Sequence, residues 1–117
     1  MPYFLHKKKN IHYKNEGSGE VVVLIHGFLE NLSMWDEIAD ELSKTCQVIR
    51  IDLPGFGRSD CIEKVHTMEL FAACVHQVLL ELTIDKFTLI GHSMGAYVSL
   101  ALLEMCSDEI DHICLFH

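Results

Sequence analysis

The feature that most constrains the fold is residues 21–25, which read Val-Val-Val-Leu-Ile without a polar interruption. A strand with one face in water alternates apolar and polar residues, whereas an unbroken apolar run is typical of a strand covered on both faces. Such strands belong to parallel sheets, whose crossover connections place helices on both sides. The run therefore predicts an interior strand of an α/β domain.

Other segments extend this pattern into a complete sheet. Two short β-type segments flank a lysine-rich turn and predict an antiparallel hairpin, and three further runs of strand character follow later in the chain. The predicted fold class is α/β, with a mainly parallel sheet of about six strands, an N-terminal antiparallel hairpin and helices on both faces. The additional predicted strands are residues 3–5, 11–13, 47–51, 87–90 and 110–116.

Three helices are predicted between the strands, each with apolar residues at helical spacing. The first is predicted to open at Ser33, with Asp36 three residues later in a pattern close to a capping box, and the second at Thr67. The third follows Gly95. The residues predicted to face inward are Trp35, Ile38, Leu42, Leu70, Cys74, Val78, Leu82, Val98, Ala101, Leu102 and Met105.

Composition narrows the class of protein. With 117 residues, half of them hydrophobic, the chain can form one domain with a core. A formal net charge of −8 argues against nucleic acid or an anionic membrane surface as a partner. No apolar run approaches the roughly 18 residues of a membrane span, and the N-terminus lacks the apolar core of a signal peptide. We therefore expect a soluble, cytoplasmic protein.

The cysteines indicate neither a disulfide framework nor a metal site. Their number is odd, there is no Cys-x-x-Cys pair and no zinc-type spacing, so we expect buried free thiols and no bound metal. Lys7, Lys8 and Lys9 form the one basic run, which we interpret as a solvated hairpin edge. The cysteines are Cys46, Cys61, Cys74, Cys106 and Cys114.

Residues 91–95 read Gly-His-Ser-Met-Gly between a predicted strand and a predicted helix. This context places Ser93 on a sharp strand-to-helix turn, with a positive φ angle. Such a turn closes only if the residues two before and two after the serine lack bulky side chains, and Gly91 and Gly95 meet that demand. A serine that merely caps a helix needs no such glycines. The pattern therefore favours a positioned hydroxyl.

Two further segments, His26-Gly27-Phe28 and residues 52–59, stand at the ends of the preceding buried strands. With the serine motif they resemble the α/β-hydrolase fold family, in the family's order. The resemblance implies that Ser93, at the nucleophile elbow, attacks a carbonyl carbon and forms an acyl-enzyme. It implies an oxyanion hole made by the backbone N–H groups of Phe28 and Met94. The residues it implies in supporting roles are His26, Gly27, Gly91, His92 and Gly95.

The segment after the fourth strand carries a second carboxylate. Asp52 resembles the aspartate that organises the following loop in this family, and we do not expect it to be the acid of a catalytic triad. Gly55 and Gly57 lack the third glycine and the adjoining helix of a dinucleotide site. No metal and no organic cofactor is therefore expected.

In this family a carboxylate and then a histidine follow the nucleophile, and they activate it. No residue after Ser93 matches either position, so we expect the isolated chain to be nearly inactive. We interpret residues 1–117 as the N-terminal part of an α/β-hydrolase domain, with strands one to six present and the lid and strands seven and eight absent. The acidic and histidine residues after the nucleophile are Glu104, Asp108, Glu109, Asp111, His112 and His117.

The predicted function is that of the N-terminal part of a serine hydrolase acting on a small ester, thioester or related carbonyl substrate. Lyase, acyltransferase and C–C hydrolase chemistry stay open because they reuse the same serine. Two alternatives from other classes are a non-catalytic binding module of this fold and one half of a bipartite enzyme. The apolar edge at residues 113–116 predicts pairing with another chain, as a homo-oligomer or with a missing C-terminal half.

Overall fold

The computed structural model describes residues 3–6, 9–60 and 67–116. In chain order the elements are β1 (Tyr3–His6), β2 (Lys9–Glu16), β3 (Val21–Ile25), a first 3₁₀ helix (Leu32–Trp35), α1 (Asp36–Leu42), β4 (Gln47–Ile51), α2 (Met68–Glu81), β5 (Phe87–His92), α3 (Met94–Cys106), a second 3₁₀ helix (Ser107–Glu109) and β6 (Ile110–Phe116). The strands form one sheet in the order β1-β2-β4-β3-β5-β6.

The centre of the sheet is parallel. β3 pairs in parallel with both β4 and β5, and β5 pairs in parallel with β6. β2 runs antiparallel to β4, and β1 antiparallel to β2. The parallel sheet with an N-terminal antiparallel hairpin is therefore confirmed, and β3 is the interior strand that its unbroken apolar sequence predicted.

Helices cover both faces of the sheet, as predicted. Because side chains alternate along a strand, Val23 and Ile25 lie on one face of β3, and Val22 and Leu24 lie on the other. The first pair belongs to a large core with side chains of α2 and α3. The second pair packs in a smaller core with residues of the first 3₁₀ helix and α1, among them Trp35. Each face of β3 thus has its own apolar layer.

The helix starts agree only in part with the prediction. The Asn31 side chain accepts a hydrogen bond from the Ser33 N–H at 2.8 Å and caps a 3₁₀ turn that precedes α1. The prediction that Ser33 itself is the cap was wrong, because asparagine is an equally good cap and stands two residues earlier. The Thr67 cap is confirmed, since its hydroxyl accepts from the Leu70 N–H at 3.0 Å.

Two side chains predicted to face inward are on the surface. Ile38 is 46% exposed and Met105 is 48% exposed, whereas the neighbouring Ala39 and Cys106 are buried. On each of the two helices, the surface that contacts the sheet is narrower than the apolar face that the sequence pattern predicts. The residue beside that surface is therefore left in solvent.

β4 carries a buried arginine that sequence patterning did not single out. Arg50 is 2% exposed, and its guanidinium donates to Glu16 Oε1 at 2.6 Å and to a carboxylate oxygen of Asp36. A third hydrogen bond goes to the carbonyl oxygen of Leu32. These charge-assisted bonds join β2, β4 and the start of α1.

The described cysteines are free thiols. Cys74 and Cys106 are buried as expected, but Cys114 is exposed and Cys46 only half-buried, so the expectation of general burial was wrong for these two. Cys46 directly precedes the interior strand β4, and Cys114 lies on β6, at the end of the sheet order. Lys7, Lys8, Cys61 and His117 lie outside the described residues. Within the described ranges no helix has the length and apolar character to cross a bilayer.

Candidate active site

Ser93 is the single residue between the end of β5 and the start of α3. Its φ angle is +57°, which confirms the predicted positive φ, and its side chain is exposed and does not cap the helix. A non-glycine residue in this region costs about 1–3 kcal/mol and persists only where surrounding contacts enforce it. The turn thus holds a hydroxyl at the carboxyl end of the sheet that bonds to no group in the described part of the chain.

The two glycines of the motif are required by close backbone approach. A Cβ on Gly91 would lie 2.4 Å from the Gly95 carbonyl oxygen, and one on Gly95 would lie 2.3 Å from the Ile25 carbonyl oxygen. These distances are far below van der Waals contact with backbone atoms that cannot move aside. The steric reason predicted for both glycines is therefore present in the structure.

The loop after β3 lies against this turn. A Cβ on Gly27 would lie 3.1 Å from the Ser93 Cβ, so the two segments are in direct contact. The loop closes through a hydrogen bond from the Glu30 N–H to the Gly27 carbonyl oxygen at 3.2 Å, with Leu29 at a φ of +61°. At its tip the Phe28 ring is 63% exposed.

Two backbone N–H groups stand next to the Ser93 turn: that of Met94 follows Ser93 directly, and that of Phe28 follows Gly27, which contacts Ser93. Met94 is the first residue of α3, so its N–H is among those that lack an acceptor inside the helix, at the positive end of the helix dipole. The Phe28 N–H donates to no acceptor within residues 3–6, 9–60 and 67–116. Because β3 and β5 are parallel neighbours, their carboxyl ends share one sheet edge. Both N–H groups therefore lie at the sheet edge where the Ser93 side chain is exposed.

His26 is fully buried beneath this loop. Its Nε2 accepts a hydrogen bond from the Leu53 N–H at 2.9 Å, and its Nδ1 donates to the Gly27 carbonyl oxygen at 2.8 Å. Burial lowers the pKa of the imidazole, which therefore stays neutral and joins the loops after β3 and β4. The side chain shapes the loops and does not reach solvent.

Glu30 is a residue of this site that sequence reasoning missed. Its Oε1 accepts a hydrogen bond from the Gly27 N–H at 3.0 Å and lies 3.0 Å from His92 Nδ1. One carboxylate thus links the loop after β3 to the end of β5. The sequence offered only a weak signal for this role, an acidic residue three positions after Gly27. A tight turn at this spacing brings the acidic side chain close to the Gly27 N–H.

Asp52 organises its own loop, as the resemblance implied. Its Oδ1 accepts from the Leu32 N–H at 2.7 Å, and its Oδ2 accepts from the Arg58 N–H at 2.9 Å and lies 2.8 Å from His12 Nδ1. A Cβ on Gly57 would overlap this carboxylate. Because these donors occupy both oxygens, Asp52 holds the loop in place.

The structure brings none of the described acidic or histidine residues after Ser93 to its hydroxyl. Glu104 lies along α3, and the second 3₁₀ helix follows that helix. Asp111 and His112 begin β6, where His112 is opposite Thr88, whereas Ser93 follows the far end of β5.

An apolar pocket of about 320 Å³ opens beside the turn. It lies between the first 3₁₀ helix with α1 on one side and the last residues of β5 and β6 on the other. The side chains around it are mostly apolar, and His92 is its one titratable group. The residues that line it are Met34, Trp35, Ile38, His92 and Phe116.

Comparisons with known proteins agree with this geometry. A sequence model of the alpha/beta hydrolase fold matches residues 20–115. The chain is 40% identical over 91 residues to the pimeloyl-[acyl-carrier protein] methyl ester esterase of Pseudoalteromonas atlantica, a match that covers 75% of this chain and 34% of that protein.

Solved structures give the same picture. Est816, described as an N-acyl homoserine lactone degrading enzyme, has a TM-score of 0.94 at 26% identity, covering 97% of this chain and 44% of that one. A thermophilic esterase from Thermogutta terrifontis has a TM-score of 0.89 at 34% identity, and the match covers 92% of this chain and 40% of the esterase chain. The chain thus spans less than half the length of each of these three relatives.

Proposed function

Because the chain belongs to the alpha/beta hydrolase fold family, we propose that it carries the nucleophile and oxyanion hole of a serine hydrolase acting on ester, lactone or thioester substrates. The observation that supports this most is the Ser93 hydroxyl, held exposed at a φ of +57° between strand and helix with no hydrogen-bond partner of its own in the described chain. The esterase and the lactone-degrading enzyme among its relatives act on substrates of this class.

In the proposed reaction the Ser93 oxygen attacks the carbonyl carbon of the substrate. The carbonyl π bond opens, and the resulting oxyanion accepts hydrogen bonds from the Phe28 and Met94 N–H groups. When this intermediate collapses, the bond from the carbonyl carbon to the leaving oxygen or sulfur breaks. The leaving group takes up the proton lost by Ser93 and becomes the alcohol or thiol, and an acyl group stays on Ser93. Water then hydrolyses the acyl-enzyme and regenerates the hydroxyl. The apolar pocket beside His92 would accept a hydrocarbon portion of the substrate.

The weak step is removal of the Ser93 proton. A serine needs a histidine to accept this proton and a carboxylate to orient that histidine. His92 precedes Ser93 and is bonded to Glu30, but no hydrogen bond joins its ring to Ser93 in the described structure. We therefore propose that these residues alone acylate slowly, several orders of magnitude below a complete triad.

A fluorophosphonate probe, which phosphonylates nucleophilic serines at a rate that reports how strongly they are activated, tests the proposal on the purified chain. We expect slow, stoichiometric modification that peptide mass spectrometry places on Ser93 and that Ser93→Ala abolishes. Ser107→Ala is the matched control, since Ser107 is exposed at the far end of α3 and should leave labelling unchanged. Absence of labelling in the folded chain would favour the non-catalytic binding module. Rapid steady-state hydrolysis of a nitrophenyl ester would contradict the slow acylation.

A further inference from the structure

A second group of reactive side chains lies at the opposite end of the sheet from Ser93. There α2 passes the connection between α3 and β6. His76 Nε2 on α2 lies 3.0 and 3.4 Å from the two carboxylate oxygens of Glu109, and the Cys106 thiol is beside them. One ligand atom from each residue lies within 4.8 Å of the other two. We propose that His76, Cys106 and Glu109 bind one divalent transition-metal ion of the Zn²⁺ type.

The donor atoms suit this class of ion. An imidazole nitrogen, a thiolate and a carboxylate are the three ligand types that Zn²⁺ accepts, with bonds of about 2.0–2.3 Å. Tetrahedral geometry with such bonds places ligand atoms about 3.3–3.8 Å apart. The observed spacing therefore needs only side-chain adjustment. A soft thiolate is a poor ligand for Mg²⁺ or Ca²⁺, which take oxygen. Three protein ligands leave a fourth position for water.

The thiol of Cys106 is the most buried of the three donor groups. Cys106 is 7% exposed, and its Sγ–H donates to the Leu102 carbonyl oxygen at 3.3 Å. The thiol thus stands at the buried floor of the cluster. A bound cation would displace its proton and offset the charge of the resulting thiolate and of the Glu109 carboxylate.

The site also has an entry path and a structural consequence. The His76 and Glu109 side chains are 21% and 26% exposed, so an ion can arrive from solvent while Cys106 forms the floor. His76 lies on α2, Cys106 is the last residue of α3 and Glu109 belongs to the second 3₁₀ helix, so a bound ion would cross-link the two helices of the larger layer. Metal bound only to the folded chain raises its stability.

The test uses the full chain after treatment with a chelator. Titration with Co²⁺ should give a thiolate-to-cobalt charge-transfer band of 1:1 stoichiometry, and Zn²⁺ should displace it. Cys106→Ser should remove the band, and His76→Gln and Glu109→Gln should each weaken Zn²⁺ binding by calorimetry at least about tenfold. Matched controls are Cys114→Ser and His112→Gln, both exposed on β6, which should bind like the original chain.

Three results would overturn the proposal. They are the absence of a thiolate band in the folded chain, its persistence in Cys106→Ser, and its loss in Cys114→Ser. Circular dichroism establishes folding for each variant. If Cys106→Ser does not fold, the two glutamine variants still decide the question, because both replaced side chains are at the rim and keep their size. Unchanged Zn²⁺ affinity in both would then exclude the site.

Discussion

The Glu30 carboxylate oxygen lies 3.0 Å from His92 Nδ1, although 62 positions separate the two residues in the chain. The same oxygen accepts the Gly27 N–H. Glu30 therefore sets the distance between the loop that carries one proposed oxyanion donor and the turn that carries the proposed nucleophile. It is a positioning residue, because it acts through the segments it joins.

Glu30→Ala should slow fluorophosphonate labelling of Ser93 by about tenfold or more, since small displacements of a catalytic group are costly. Glu30→Gln keeps an acceptor for the Gly27 N–H and should retain more of the rate. Glu37→Ala, at an exposed position on α1, serves as the control. Equal labelling rates in all three variants, with folding intact, would contradict the positioning role.

Ser93→Gly should increase the free energy of unfolding by about 1 kcal/mol, because glycine adopts a φ of +57° without Cβ strain. Ser93→Ala keeps the strained Cβ and should stay within about 0.5 kcal/mol of the original chain, since the Ser93 side chain caps nothing. Urea unfolding measures both. A Ser93→Gly variant no more stable than Ser93→Ala would show that the turn is relaxed.

Gly95→Ala should lower the free energy of unfolding by about 2 kcal/mol or more, although alanine is the better helix former by about 1 kcal/mol. The added Cβ would lie 2.3 Å from the Ile25 carbonyl oxygen and 2.7 Å from that of His26. Tyr97→Ala, on the exposed side of the same helix, should change stability by less than about 0.5 kcal/mol. Equal effects of the two substitutions in urea would contradict the predicted clash.

Stability should fall as the pH drops below about 6.5. Burial lowers the pKa of His26 in the folded chain from its ordinary 6.5, so the unfolded chain binds a proton first. Between the lowered value and 6.5, each pH unit removes up to about 1.4 kcal/mol, and above 6.5 this contribution is fully present. Urea midpoints across this range measure it. His26→Gln should reduce the change of stability with pH, and His112→Gln should not. If stability changes with pH equally in His26→Gln and the original chain, another group causes the change.

The outer edge of β6 should promote self-association. Among the described strands β6 pairs only with β5, and Phe116 is 48% exposed. Sedimentation velocity should show larger species as concentration rises, and Phe116→Lys should shift them towards monomer, because lysine discourages edge pairing. Leu100→Lys, at an exposed leucine on α3, should have less effect. A monodisperse monomer at high concentration would contradict this prediction.

Local patterns were enough to predict the sheet and the serine turn. The unbroken apolar sequence of Val21–Ile25 is enough to predict that this strand is buried. The constraint on Ser93 comes from glycines two residues away. Each signal therefore lies within five consecutive positions. The proposed cluster of His76, Cys106 and Glu109 gives no such local signal. The cysteine spacing predicted no metal, and His76 and Cys106 are thirty positions apart and meet only where α2 packs against α3.

Features that depend on distant partners were not predictable in this way. Arg50 can be buried because it forms ion pairs with Glu16 and Asp36. These two carboxylates lie on other elements, so the sequence around Arg50 does not reveal them. The exposure of Ile38 follows from how far α1 covers the sheet. Apolar spacing along one helix gives the direction of its inward face, but the width of contact is set by the neighbouring layer.

The position of β3 also has a consequence during synthesis. Both strands that flank it, Gln47–Ile51 and Phe87–His92, come later in the chain, so Val21–Ile25 leaves the ribosome with neither hydrogen-bonding neighbour made. Contacts of such sequence separation form slowly, and an unpaired apolar strand is prone to aggregate. The nascent chain thus exposes its most apolar segment until the strand that precedes Ser93 has emerged. During that time Val21–Ile25 would be a binding site for chaperones that hold extended apolar peptides.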